Sequence, residues 1–306
     1  MKTAVISAFG GPHLVTISEA ALRKPQPHEA AVRVEAASVN VLDLKILAGH
    51  MQQVFPLEPP YVPGTDFSGV VEAVGAQVEH VKPGDRVVGR SAPGTGGAFA
   101  SGLVIAAADL CVIPPDMSCE QAAALPTAFG SARQALFDVG QLQSGERVLI
   151  HAAAGGVGSM AVQQARRAGA YVLATASVRN LELVKSLGAH EAIDYHTQDF
   201  SKARDIDVVL DTIGGETLDR SWRVLSEGGR IASLVEFNIQ SRGGQAGKFV
   251  FFASATPCLP EAIRMFQAGQ LQIVIDSIFP LAETRAALEK VATGHTRGKV
   301  LIRMIS

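Results

Sequence analysis

The chain of 306 residues has few aromatic side chains: Phe, Tyr and Trp make up 6% of it, with a single Trp. A single-strand nucleic-acid groove needs rings for base stacking along a basic track. Neither the rings nor a basic run is present, which argues against that partner. Charge of one sign is lacking too, with 27 Lys+Arg against 29 Asp+Glu and a net charge of -2. A phosphate-backbone partner would require a basic stripe. Cysteine is scarce. Cys111, Cys119 and Cys258 form no close-spaced pair or His-flanked cluster, which disfavours a disulfide framework and a zinc knuckle and suggests a reducing cytosol. No run of about 18 apolar residues occurs, and "MKTAVISAFGGPHL" lacks a long apolar core with a small-residue cleavage site. The expectation is a soluble, untargeted, cytoplasmic protein with no membrane partner.

What the chain does have is length and pattern. Its length allows two domains with proper cores, so neither disulfide nor metal is needed for folding. The first third reads as strands: "EAAVRVEAASV" alternates at period two, "SGVVEAVGAQV" and "DRVVG" follow, and "PPYVPGTD" and "VKPGDR" punctuate them. One short helix is expected at "NVLDLKILAG", where Val41, Leu44, Lys45 and Ala48 share a face. From about residue 122, short β-branched strands ("RVLIHA", "YVLATA", "EAIDY", "IDVVLDT", "GRIASLV") alternate with helical segments, which implies a parallel sheet covered on both faces. The last 48 residues or so hold two helical segments and two strands and are expected to return to the first domain.

One turn carries chemistry. After the strand "RVLIHA" comes Ala153-Ala154-Gly155-Gly156-Val157-Gly158, and then a helix whose polar face is read as Gln163, Gln164, Arg166 and Arg167. Gly155 lets backbone approach a pyrophosphate, Gly158 allows helix to pack on strand, and the N–H groups at the helix start face the anion. About twenty residues on, where an NAD site places an acid, the chain has Ser177 and Arg179, with no carboxylate before Glu182. A hydroxyl and a guanidinium suit a 2′-phosphate and so NADPH. Read alone, Arg179 is also what a solvated helix start carries.

The segments "ASVNVLDLKILAG", "PYVPGTDFSGVVEAVG", "VKPGDRVVG", "AALPTAFGSARQAL", "VLIHAAAGGVGSMAVQQAR", "SLGAHEAIDY" and "RGKV" resemble, in order, the zinc-independent quinone oxidoreductase branch of the medium-chain dehydrogenases/reductases. The resemblance implies an α/β protein: a GroES-like, β-rich catalytic domain over 1–121, a Rossmann doubly wound parallel sheet over 122–257, and a C-terminal segment, 258–306, returning to the catalytic domain. NADPH would lie in the cleft between the domains. The implied cofactor contacts are Gly155, Gly156 and Val157 for pyrophosphate, Ser177, Arg179 and Tyr195 for the adenosine phosphate, and Thr127, Ile213, Gly214, Leu234 and Phe251 along the nicotinamide half. Tyr195 read alone is an ordinary half-buried aromatic. Where zinc-dependent relatives carry a Cys, a His-Glu pair and a later Cys, this chain has Asn40, Thr65-Asp66 and an Ala near 123. Those groups cannot replace thiolate and imidazole, so no metal is expected.

The implied reaction moves hydride to a quinone or an α,β-unsaturated carbonyl, with donors aimed at the oxygen that gains charge. Asn40-x-x-Asp43-x-Lys45 supplies candidates. Asn40 would orient the nicotinamide ribose or substrate, and Lys45 would donate to the enolate oxygen, the proton coming from Lys45 or water. Each has a plainer reading: Asn40 as a helix cap, Asp43 as a structural partner of Lys45 or of backbone, Lys45 as a surface lysine. His13 and His50 have no matching partners, and His151 reads as a core histidine. Met51, Phe55 and Tyr61 line a substrate entrance or simply pack. The rival functions are a reductase of other carbonyl or aldehyde substrates and a non-catalytic NADPH-binding protein. "FVFFASA" at 249–255 is a candidate edge strand for a homodimer.

Overall fold

The computed structural model describes residues 1–304, and the chain divides into two compact units. The first comprises residues 1–127, 253–267 and 275 onward; the second comprises 128–252 and 268–274. In the first unit, β1 (Lys2–Ile6) and β2 (Val15–Glu19) form an antiparallel pair. They are followed by β3 (Glu29–Val39), β4 (Asp66–Val74), β5 (Arg86–Arg90), β6 (Gly102–Ala106) and β7 (Leu110–Val112). The period-two reading of β3 holds for part of its length, but Ala36–Val39 are all buried. Helix α1 (Val41–Leu47) starts on Asn40 and turns Asp43, Ile46 and Leu47 inward. Val41 is thereby left exposed, with Leu44, Lys45 and Ala48 half-buried. Two further helices, α2 (Cys119–Ala123) and α3 (Pro126–Arg133), lead out of this stretch.

The second unit is a six-stranded, all-parallel sheet. Its strands are β8 (Arg147–Ile150), β9 (Tyr171–Ala176), β10 (Glu191–Asp194), β11 (Ile206–Asp211), β12 (Leu225–Ser233) and β13 (Ala246–Phe249). Helix α4 (Gly156–Arg167) crosses from β8 to β9, α5 (Leu181–Ser186) from β9 to β10, and α6 (Gly215–Ser221) from β11 to β12. The sheet order is β10-β9-β8-β11-β12-β13, so the chain winds outward both ways from β8. Leu149, Leu173, Val209, Ile231 and Trp222 fill its core.

Two expectations for this unit change. The polar face of α4 is half core: Gln163 and Gln164 are buried because their amides satisfy backbone, Gln163 Nε2 donating to the Gln272 carbonyl and Gln164 Nε2 to that of Phe129. Only Arg166 and Arg167 remain exposed. The edge strand lies earlier than 249–255. β13 ends at Phe249 opposite Ser233, the last residue of β12, so no ladder partner continues beyond it.

The chain then forms α7 (Leu259–Gln267), β14 (Ile275–Pro280), α8 (Thr284–Ala292) and β15 (Lys299–Arg303). β15 pairs antiparallel with β3 and parallel with β14, giving a seven-stranded sheet ordered β14-β15-β3-β4-β5-β7 with β6 also on β3. Val32, Val34, Ile46, Leu47, Phe67, Phe99 and Leu288 are among its buried core. Among the described residues no helix is long and apolar enough to cross a membrane.

Candidate active site

Six parallel strands end on the same side of the second unit, and ten of the candidate residues lie just beyond those ends. Gly155, Gly156 and Val157 follow β8; Ser177 and Arg179 follow β9; Tyr195 follows β10. Ile213 and Gly214 follow β11, Leu234 follows β12, and Phe251 follows β13. β8 sits between β9 and β11, so the strand order reverses there, which is where open α/β sheets form a crevice.

The turn at β8 is built from backbone. Gly155 is the N-cap of α4, and the next N–H groups, of Gly156 and Val157, open the helix. A Cβ on Gly158 would lie 2.4 Å from the Ala152 carbonyl oxygen and 2.7 Å from Ala153 Cα, so helix and strand meet main chain to main chain. The tightest bend falls on Ala152, whose φ is 46°, a left-handed conformation usually left to glycine.

The neighbouring ends are fixed by polar groups. Asn180 Nδ2 donates to Ser177 Oγ at 3.2 Å, while Arg179 is exposed. Asp194 pairs with Ala176, bringing Tyr195 to the strand end next to Ser177, and its ring lies 4.2 Å from that of His196. Asp211, fully buried at the end of β11, escaped the sequence reading. Its Oδ1 accepts from the N–H groups of Ile213 and Gly214, and its Oδ2 from Ser233 Oγ at 2.7 Å. Ser233 Oγ in turn accepts from the N–H of Glu236 at 3.0 Å. Two loops carrying candidates therefore hang on one carboxylate. Nearby, His151 is buried, as a core histidine should be. Ser221 Oγ donates to the Thr217 carbonyl and so accepts from His151 Nε2, leaving Nδ1 to accept from Thr175 Oγ1.

The first unit's strand ends are built from charged side chains. The register sets Ser38 opposite Asp66, Asp66 opposite Arg90 and Val39 opposite Val300, so one end of the sheet gathers Asn40, Asp66, Arg90 and Lys299. Asn40 Nδ2 donates to Asp66 Oδ2 at 3.1 Å, and Lys299 Nζ donates to Asn40 Oδ1 at 2.5 Å. Thr127 donates to Asp66 twice, through its N–H at 3.0 Å and its hydroxyl at 2.7 Å, and that hydroxyl accepts from Arg90 Nε at 3.0 Å. Asp43 Oδ2 accepts from the Asn40 N–H at 2.7 Å, the return bond of a capping box, while its Oδ1 has no partner. Burial pushes the Asp43 carboxyl up to about 7, with Asp66 adding to the rise and the Asn40 N–H, Lys299 and Arg90 opposing it.

Asn40 is thus both helix cap and cluster member, and Asp43 serves backbone. Lys45 lies on another face of α1, five residues beyond Asn40, and the lysine that reaches Asn40 is Lys299. Thr127, the one cofactor candidate outside the second unit, belongs to this cluster. Met51 and Tyr61 are buried in the core and Phe55 packs against it. Asp66 and Lys299 stood inside quoted segments ("PYVPGTDFSGVVEAVG" and "RGKV") and Arg90 directly after another ("VKPGDRVVG"), but only the strand register reveals that they meet.

A parallel sheet wound both ways from a glycine-turn strand, with a β-rich unit that the C-terminal strand completes, defines a two-unit dehydrogenase/reductase. The comparisons agree. Residues 26–116 match the alcohol dehydrogenase GroES-like domain, and residues 187–302 match the family described as zinc-binding dehydrogenase. A chloroplastic quinone-oxidoreductase homolog of Spinacia oleracea is 34% identical, the match covering 96% of this chain and 95% of that protein. The solved quinone oxidoreductase of Coxiella burnetii superposes with a TM-score of 0.92 at 31% identity, covering 100% of this chain and 99% of that one. The Escherichia coli quinone oxidoreductase solved with NADPH gives a TM-score of 0.87 at 25% identity, over 99% and 100%. The chain belongs to the medium-chain dehydrogenase/reductase superfamily, in its quinone oxidoreductase branch, and is an oxidoreductase.

The matched description raises zinc, and the donors at the strand-end cluster do not fit it. The Asp66 carboxylate is shared among Asn40, Thr127 and Arg90, and the Asn40 oxygen is held by Lys299. A zinc ion there would have to displace a resident cation and would find no thiolate or imidazole. Among the described residues no three His, Cys, Asp or Glu side chains group as a metal requires.

Proposed function

We propose that the chain is an NADPH-dependent reductase that passes hydride to a quinone or an α,β-unsaturated carbonyl without zinc. The observation that carries this reading is the glycine turn after β8 at the point where the strand order reverses, with candidate residues at every neighbouring strand end. The turn fits a dinucleotide. Backbone lies bare at Gly155 and Gly156, and the close approach at Gly158 leaves the first N–H groups of α4 to meet pyrophosphate. Ser177, exposed Arg179 and Tyr195 lie at two adjacent strand ends and would hold the adenosine 2′-phosphate by charge-assisted bonds. Ile213, Gly214, Leu234, Phe251 and Thr127 would line the nicotinamide half.

When bound, the reduced nicotinamide supplies a hydride for a quinone carbonyl or the β-carbon of an enone. Lys45 donates to the substrate oxygen that gains negative charge, and a proton from Lys45 or water completes the product. Asn40 orients the nicotinamide ribose or the substrate. The cytoplasm is the proposed location, and a homodimer through the exposed edge of β13 is the proposed assembly.

The test mixes the protein with NADPH and, separately, a quinone, an enone, an aldehyde or no acceptor. Loss of NADPH absorbance with a quinone or enone is expected. Loss with the aldehyde alone identifies a reductase of other carbonyls, and loss with none identifies a binder. Lys45→Ala should lower enone turnover more than it weakens NADPH binding, and unchanged turnover removes Lys45 from the mechanism.

A further inference from the structure

A primary amide looks nearly the same after a half-turn about its last bond, so a residue that orients a ligand by its amide must be told which way to face. Asn40 receives that instruction at both ends. Lys299 opens β15 beside the end of β3 and is 5% exposed; its ammonium donates to Asn40 Oδ1 at 2.5 Å and to the Val39 carbonyl at 3.0 Å. Asp66, fully buried, accepts from Asn40 Nδ2 at 3.1 Å and is itself fixed by Thr127 and by Arg90, whose Nε lies 3.7 Å from it. Turned over, the amide would set N–H against ammonium and oxygen against carboxylate, losing both bonds and adding two repulsions. A buried lysine is a costly way to hold one carbonyl oxygen. Burial lowers the Lys299 ammonium from the usual lysine range, against the pull of Asp66 and Asp43.

We propose that Lys299 and Asp66 are positioning residues, which lock the Asn40 carboxamide in one of its two orientations and act on hydride transfer through it. The inference rests on the preceding reading, in which Asn40 orients the nicotinamide ribose or the substrate. It assigns to the "RGKV" segment a part in the reaction, and it makes the first unit's C-terminal strand a component of the site's preorganisation.

The chain has three asparagines, Asn40, Asn180 and Asn238, so selective ¹⁵N-asparagine labelling gives a side-chain amide spectrum that Asn40→Ala assigns directly. In the wild type the Asn40 amide protons should be well separated and slow to exchange. In Lys299→Met they should move towards those of an exposed asparagine, and Lys299→Arg, which keeps a cationic donor, should restore them in part. In the kinetic arm, Lys299→Met should lower enone or quinone turnover about 10- to 100-fold while NADPH affinity changes less than about threefold. The double variant with Asn40→Ala should be no slower than Asn40→Ala alone. Asp66→Asn carries the same readouts from the other end of the amide, which decides the matter even where Lys299→Met does not fold. Unchanged amide signals, or losses from Lys299→Met and Asn40→Ala that multiply, overturn the proposal. A wild type without turnover overturns the reading of the reaction instead, and the amide signals alone then decide whether Lys299 and Asp66 lock Asn40.

Discussion

The strand ends of the two units solve the same problem with opposite materials. In the second unit the ends are backbone, small residues and exposed side chains: Gly155 and Gly156 at the turn, Arg179 in solvent, and loops hung on Asp211. In the first, the ends are packed with side-chain bonds among Asn40, Asp66, Arg90, Thr127 and Lys299, all but Thr127 buried. A large anionic ligand is best met by main-chain N–H groups that hold no charge of their own to be desolvated. A reaction in which charge develops at one atom instead calls for donors fixed in advance, and fixing them takes a network. On the proposed function, one end holds the cofactor and the other orients the reacting groups.

The largest effect expected is at Asp66. Asp66→Ala leaves the Asn40 amide and two Thr127 donors without their acceptor and removes the carboxylate 3.7 Å from the Arg90 guanidinium, and loss of about 3–5 kcal/mol of stability should follow, read from denaturant unfolding. A loss below about 1 kcal/mol would mean that the network is not what holds this end together.

The two units should also titrate in opposite senses. Asp43 is raised to about 7 by burial, so the native state binds its proton more tightly than the unfolded chain does. Its contribution falls as pH rises from the ordinary carboxylate range to about 7. His151 is lowered to about 4 by burial, with Asp211 and Arg220 acting in opposite directions on it, so its contribution is complete above the ordinary histidine range and is lost as pH falls towards 4. Each slope amounts to a few kcal/mol at most, and the two offset each other in the intact protein. Asp43→Asn should expose a stability that declines with acid, and His151→Gln one that declines with base. The single Trp, Trp222, lies in the second unit and reports on that unit by fluorescence. Equal pH profiles for the two variants would remove the contrast.

At the holding end, Gly158→Ala should cost about 1–3 kcal/mol and NADPH affinity with it, because its methyl meets backbone that cannot swing away. Calorimetry of the variant checks both. Arg179→Ala should weaken NADPH about tenfold and NADH less than about twofold, by loss of a charge-assisted bond to the 2′-phosphate. Equal losses for both cofactors would refute that role. The smallest effect is a gain: Ala152→Gly relieves a left-handed alanine and should add about 0.5–1 kcal/mol to stability.

The same contrast explains what could be read from the chain. The holding end is local in sequence: Gly155 to Gly158 span one turn, and in a parallel sheet the residue after each strand arrives at the same side, so a pattern of short strands and helices suffices to collect Ser177, Tyr195, Gly214 and Leu234. The orienting end joins Asn40 to Lys299 across 259 positions, through registers that no periodicity contains. Lys45 was therefore the visible lysine and Lys299 the one that touches Asn40. Thr65-Asp66 drew notice for what it lacked as a metal site, and the actual use of Asp66, as acceptor for Asn40 and Thr127 and ion-pair partner of Arg90, depends on Thr127 and Arg90 arriving from elsewhere. Gln163 and Gln164 misled for a related reason, since polar residues on a helix face read as solvated until the backbone carbonyls that they bind are known.

The division between holding and orienting is tested most directly by single-turnover reduction of an enone by bound NADPH in the wild type and in Asn40→Ala, with NADPH affinity measured on the same samples. The account predicts a transfer rate at least about tenfold lower at an affinity changed less than about twofold. An unchanged rate with weakened NADPH binding would contradict it.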